Sequence, residues 1–241
     1  MIVNPSATGW DIIFQRAHAL LAGKIAMQWQ HDQRPEPWTD VVSAIIDHDD
    51  GQRDWRSRQN LTEAGAPQDF QQQDTDLGQA RRTVANARYR SRHIALLTSM
   101  HTSALYEKLR GTNQETDTFL DEQRAYQKKL RNNLGIKKGE AERMYRLVFF
   151  CDACSLVLCK NEVPTNGNKL ELAPTPDQQT AFIFYKNEEC LSIEPWIFEK
   201  KSFTVSVDVF QLHQLSFESD QALYEALDQA ETFSKQWTFK Q

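Results

Sequence analysis

The run from Met144 to Cys159 (M-Y-R-L-V-F-F-C-D-A-C-S-L-V-L-C) constrains the fold more than any other stretch. From Leu147 onward it is apolar on nearly every side. That predicts a helix buried all round, not one lying on a surface. It falls short of the ~18 uninterrupted apolar residues of a membrane span, and it contains Asp152. A carboxylate buried without a partner is costly, so Asp152 must be paired, protonated or bound to a metal ion. The chain must bring a complementary group to the middle of its most apolar helix.

Three other stretches carry polar groups on apolar helical backgrounds. Val41, Val42, Ala44, Ile45 and Ile46 predict a buried helix that Thr39 or Asp40 caps. It ends in Asp47, His48, Asp49 and Asp50, with Gly51 as the stop. Three neighbouring acids at the negative pole of a helix call for positive charge. A metal ion supplies it on one reading, and Arg53, Arg56 and Arg58 on the other. His18 shares a stripe with Leu21, Ile25 and Trp29. His101 lies four residues after Leu97 and four before Leu105, within another stripe. His93 is eight residues from His101, ~12 Å along a helix, so the two cannot share one ion and His101 is preferred. Imidazole nitrogens and carboxylate oxygens suit iron, manganese, zinc or magnesium. The Cys151–Cys154 pair has no second CxxC partner and reads as core.

Around these helices, Met1–Val3 and Trp10–Phe14 predict an N-terminal hairpin across Pro5–Gly9. Residues 56–78 read as a long surface loop, and 79–90 as a basic helix carrying Arg81 and Arg82. Residues 111–142 are polar and helix-prone. After Asn161 the pattern turns to strands at 181–185 and 203–210, a helix to Ala230 and a last strand at 236–239. The expected fold is therefore mainly α: a helical bundle with its N-terminal hairpin over residues 1–160, then a small antiparallel β-rich part over 161–241. The class is α+β overall. A net charge of −5 argues against nucleic acid or an anionic membrane as partner. The start of the chain carries no signal peptide pattern, and four cysteines make no disulfide framework. A cytoplasmic protein is expected. No Walker loop, dinucleotide fingerprint or Gly-x-Ser-x-Gly elbow occurs.

The order H…HD…H…D over residues 15–160 resembles the HD-domain superfamily of metal-dependent phosphohydrolases. The whole chain also resembles a bacterial family of unknown function, through Met1–Val3, His18–Gly23, His48–Gly51, Ser99–His101 and Pro195–Phe198. The first resemblance implies an HD-like bundle that binds one or two divalent metals through His18, His48, Asp49, His101 and Asp152. It implies hydrolysis of a phosphate ester of a nucleotide or similar small molecule. Asp50 would position or deprotonate the attacking water, and Arg53, Arg81 and Arg82 would hold the phosphate. Two other readings stand beside it: an iron-dependent oxygenase of the same type, and a binding or structural protein in which the polar set is a degenerate site.

Overall fold

Two chain ends meet in one sheet. In a computed structural model that describes residues 1–48, 56, 59–73 and 75–241, strands β1 (Ile2–Pro5) and β2 (Trp10–Ile13) form the expected hairpin. β2 then pairs with β6 (Ser202–Leu212) through Trp10–Leu212 and Ile12–Phe210. β6 is antiparallel to β7 (Glu231–Lys240) along ten residue pairs. β7 is parallel to β5 (Cys190–Glu194), which continues to β4 (Phe182–Asn187) and β3 (Leu170–Glu171). The result is a seven-stranded mixed sheet of order β1-β2-β6-β7-β5-β4-β3.

This corrects the expected fold class. The protein is α+β with a curled sheet, 47% helix and 20% strand, and not a mainly α bundle with a small β part. Two local patterns explain the difference. Glu231–Lys240 alternates, but its outward residues are polar and four of its first five positions are exposed, so only the Trp237–Phe239 end reads as strand. Cys190–Glu194 is short and almost wholly buried, so it shows no alternation.

The helices are α1 (Gln15–Ala26), α2 (Trp38–Ile46), α3 (Leu77–Ala87), α4 (Arg92–Glu107), α5 (Gln114–Leu134), α6 (Lys138–Cys159) and α7 (Asp220–Gln229). Their starts follow local chemistry. Ser91, Asn113 and Ser219 accept from the amides of Ile94, Thr116 and Ala222 at the first turns of α4, α5 and α7. Gly135 ends α5 at φ +69°, where a Cβ would be strained, and Ile136 N–H closes back on the Arg131 carbonyl.

α1 packs on α2, α6 and β6, and α4 packs on α2, α3, α5 and α6. Alternation along the strands sends Ile13, Val205, Val207 and Val209 into the core shared with α1 and α6. Ile12 and Leu212 point the other way, to a second cluster with Leu223 and Leu227 of α7. The main core therefore runs across residue 160, joining Cys151 and Leu158 to Leu191 and Phe239. Among the described residues, no helix is long and apolar enough to cross a membrane.

Candidate metal centre

α6 crosses the bundle with Asp152 facing inward, 5% exposed. Three other segments bring an imidazole to it. His18 comes from the first turn of α1, His48 from just past the end of α2, and His101 from the middle of α4; each is 3% exposed or less. His48 Nε2 lies 3.2 Å and His18 Nδ1 3.9 Å from Asp152 Oδ1, while His101 Nε2 lies 3.8 Å from Oδ2. The rings meet edge to face, with centroids 5.1 Å apart for His18–His48 and 4.9 Å for His48–His101. Four of the five residues expected to bind metal are thus brought to one point. The fifth, Asp49, lies outside the described residues, as do Asp50 and Arg53.

The hydrogen bonds assign the tautomers. His48 Nδ1 donates to the Ile45 carbonyl at 2.6 Å, so a neutral His48 ring carries its lone pair on Nε2. The Ser155 hydroxyl gives its proton to the Asp152 carbonyl at 2.8 Å, so His18 Nδ1, 3.0 Å away, must donate to Ser155 Oγ. The lone pair on His48 Nε2 then points at a carboxylate oxygen 3.2 Å away. Such a pair repels unless a proton or a cation lies between. Burial by itself raises the Asp152 carboxyl. The His48 imidazole first, then His101 and His18, outweighs it and holds the group below the ordinary carboxylate range.

One donor atom each from His18, His48 and Asp152 lies within 4.8 Å of the others. Ligand atoms ~2.0–2.2 Å from one divalent ion sit closer together than that, so these side chains would have to close on the ion to bind it. Asp152 Oδ1 is buried and accepts no hydrogen bond among the described residues. The donor set therefore fits a divalent metal by chemistry as well as by spacing. His93 stays outside: its Nδ1 lies 3.6 Å from Asp40 Oδ2, one face away from His101.

Beside the histidines is a cavity of about 220 Å³, lined in part by Gln15, Phe70, Gln79, Leu105, Tyr106 and Leu156. The two arginines expected to face it part company, because neighbours on a helix point ~100° apart. Arg81 Nη1 donates to Glu122 Oε2 at 2.8 Å, and its guanidinium sits over Phe119 toward α5. Arg82 Nη2 donates to Asp76 Oδ2 at 3.0 Å, and Asp76 lines the cavity. Arg81 is thus not at the site, whereas Arg82 reaches its rim. Among the described residues, Arg90 of the α3–α4 turn brings positive charge to the end of α2, where it pairs with Asp47. Arg56 pairs with Asp228, and Arg58 lies outside the described residues.

Ser155, Tyr145 and Gln15 escape a reading of the sequence for ligands. For two of them the spacing carries a signal: Ser155 is three residues after Asp152 and Tyr145 seven before it, on the same face of the helix. Burial, then the Asp152 charge, pushes the Tyr145 phenol up, so it stays protonated.

Gly23 sets how closely α1 approaches α2. A Cβ there would come within 2.4 Å of Ile46 Cγ1. Ile46 is two residues before His48, so the clash would be passed to the site. Gly23→Ala gains up to ~1 kcal/mol of helix propensity but meets ~1–3 kcal/mol of overpacking. A lower thermal midpoint and weaker metal binding are expected together. An unchanged midpoint with unchanged metal affinity would contradict this.

The cysteines are free and buried. Burial, helped by Cys159, pushes the Cys154 thiol up to about 12. Burial also pushes Cys159 up to about 12, against the Lys235 charge. Unfolded thiols titrate near 9.0, so they release protons first. Stability is then intact below pH 9 and is lost as pH climbs from 9 to 12, by at most about 4 kcal/mol per thiol. Urea midpoints that fall steadily above pH 9, with thiols unreactive to alkylation in native protein at pH 8, are the expected outcome.

No curated protein and no solved structure matches the chain. The family described as "Protein of unknown function (DUF3891)" matches residues 1–214, and the chain belongs to that family.

Proposed function

We propose that the protein is a metal-dependent hydrolase of the HD type, acting on a phosphate ester of a small molecule. The observation that carries this reading is the Asp152 carboxyl within 3.2–3.9 Å of imidazoles from three other segments. Such a constellation costs desolvation and like-pole repulsion that a purely structural core avoids. His18, His48 and Asp152 would hold the ion, with His101 against the second carboxylate oxygen. A bound divalent metal lowers the pKa of a coordinated water and neutralises phosphoryl oxygens.

The chain's own groups support that role. The Ile45 carbonyl fixes the His48 ring so that Nε2 faces inward. Ser155 holds the His18 ring through Nδ1, which puts the lone pair of a neutral His18 on Nε2. Leu105, Leu156 and Phe70 give the cavity apolar walls beside the polar groups. Among the described residues no lysine or arginine lines the cavity, so the metal and Arg82 at the rim supply the positive charge nearest a phosphate.

A second reading rests on the Ser155 links, which tie His18 and the Asp152 backbone into one buried network. It describes a binding or structural protein with no metal. Elemental analysis of purified protein, followed by a phosphatase screen over nucleotides and sugar phosphates, separates the two. Stoichiometric metal with turnover supports the hydrolase. Metal-free protein that gains neither stability nor activity from Mn²⁺, Zn²⁺, Fe²⁺ or Mg²⁺ supports the network.

A further inference from the structure

Gln15 opens α1 one turn before His18, on the same helical face. It lines the cavity beside His18, His48, His101 and Asp152, and it is 6% exposed. Its Oε1 is buried and accepts no hydrogen bond among the described residues. Leaving a carbonyl buried and unsatisfied destabilises a fold, and native proteins keep such groups for a reason. Two other polar lining groups are committed: the Tyr106 hydroxyl donates to the Asp76 carbonyl at 2.8 Å, and the Asp76 carboxylate accepts from Arg82. A carbonyl oxygen only accepts hydrogen bonds, so a hydrogen-bonding partner for it must bring an N–H or O–H. The space, about 220 Å³, is below the ~300–1,000 Å³ of drug-sized sites.

We infer that Gln15 determines specificity: its Oε1 accepts a hydrogen bond from a hydroxyl or N–H of a small ligand seated against the histidines. Resting on the phosphohydrolase reading, this selects small phosphate monoesters that carry such a donor over equally large ones that lack it. The reason is a general asymmetry: a site built to pair with a donor rejects the analogue that leaves its own group unpaired.

The test uses Gln15→Met, which keeps length and shape and removes the carbonyl. In Mn²⁺-loaded protein, titration calorimetry compares glycerol 1-phosphate with propyl phosphate, which has no hydroxyl. The wild type is expected to prefer the glycerol ester by about tenfold, and Gln15→Met to lose that preference while keeping its Mn²⁺ affinity. In metal-free protein the variant's thermal midpoint is expected to rise by about 2–5 °C, because an unsatisfied acceptor has gone. A preference that persists in Gln15→Met, no preference in the wild type that binds both esters, or a weakened Mn²⁺ affinity overturns the inference. So does a lowered midpoint, which would make Gln15 a structural residue. If the wild type binds neither ester, the phosphate reading fails. The midpoint then judges Gln15 separately: a rise supports a donor-bearing ligand of another kind, a fall overturns it.

Discussion

Asp152→Asn is expected to lose bound metal and any metal-dependent hydrolysis together while keeping its helical content. The amide matches the carboxylate in volume, so α6 keeps its place in the core. What disappears is the negative charge that faces three imidazoles across 3.2–3.9 Å. An amide oxygen is a poor ligand for a divalent ion beside imidazole, and its NH₂ group would be turned toward one of the histidines. Replacing even a residue behind the ligands typically costs 10–100-fold in metal affinity. Loss of the central carboxylate should cost at least ~100-fold, about 2.7 kcal/mol. Elemental analysis and calorimetric Mn²⁺ titration measure it, with far-UV circular dichroism as the control on folding. A variant that holds metal as tightly as the wild type would sink the proposed centre. Metal uptake by the wild type should also release protons, because His48 Nε2 cannot bind an ion and a proton at once. Calorimetry in buffers of different ionisation heat reads that release directly.

Trp29→Ala is expected to cost about 3–5 kcal/mol, the range for truncating a buried tryptophan. Trp29 is 1% exposed, just past α1. Its ring stands edge-on to Phe150 of α6 at 5.5 Å and to Phe198 at 6.2 Å. Phe198 in turn meets Phe203 of β6 at 4.7 Å and Phe239 of β7 at 6.0 Å. Backbone bonds flank the joint, from Gln30 N–H to the Ile197 carbonyl and from Glu199 N–H to the Gln28 carbonyl. One indole therefore couples the helical layer to the sheet. For a chain of this size each kcal/mol moves the thermal midpoint by about 2–4 °C, so a drop of roughly 10 °C is expected. Because the core is continuous, near-UV and far-UV signals should fall together. Separate transitions for helix and strand signals would show that the two layers fold independently.

How far the sequence reached depended on the range of each interaction. The apolar stripes of α1, α2, α4 and α6 are local patterns of period 3.6, and each carried its polar residue visibly: His18, His48, His101 and Asp152. That they meet was what the HD resemblance implied. The carboxylate in an apolar helix called by itself only for some partner. Gln15 carried no such warning, since a glutamine at a helix start is ordinary until the cavity in front of it is known. Arg81 and Arg82 read alike in sequence, and only the rotation of α3 sends one to Glu122 and the other to Asp76.

The sheet shows the other limit. The amino-acid sequence by itself determined the N-terminal hairpin, most helices and the buried positions of His18, His48, His101 and Asp152, because periodicity and desolvation act on each segment separately. Only the tertiary structure decided that β2 pairs with β6, some 200 residues away, and that β5 runs parallel to β7. Strand partners are chosen by which edges the packed helices leave adjacent, and an edge carries no address in its own residues. The same holds for the centre. Its ligands were legible one at a time, but the 3.2 Å between His48 and Asp152 exists only in the packed fold, where Gly23 also lets α1 lie close against Ile46 of α2.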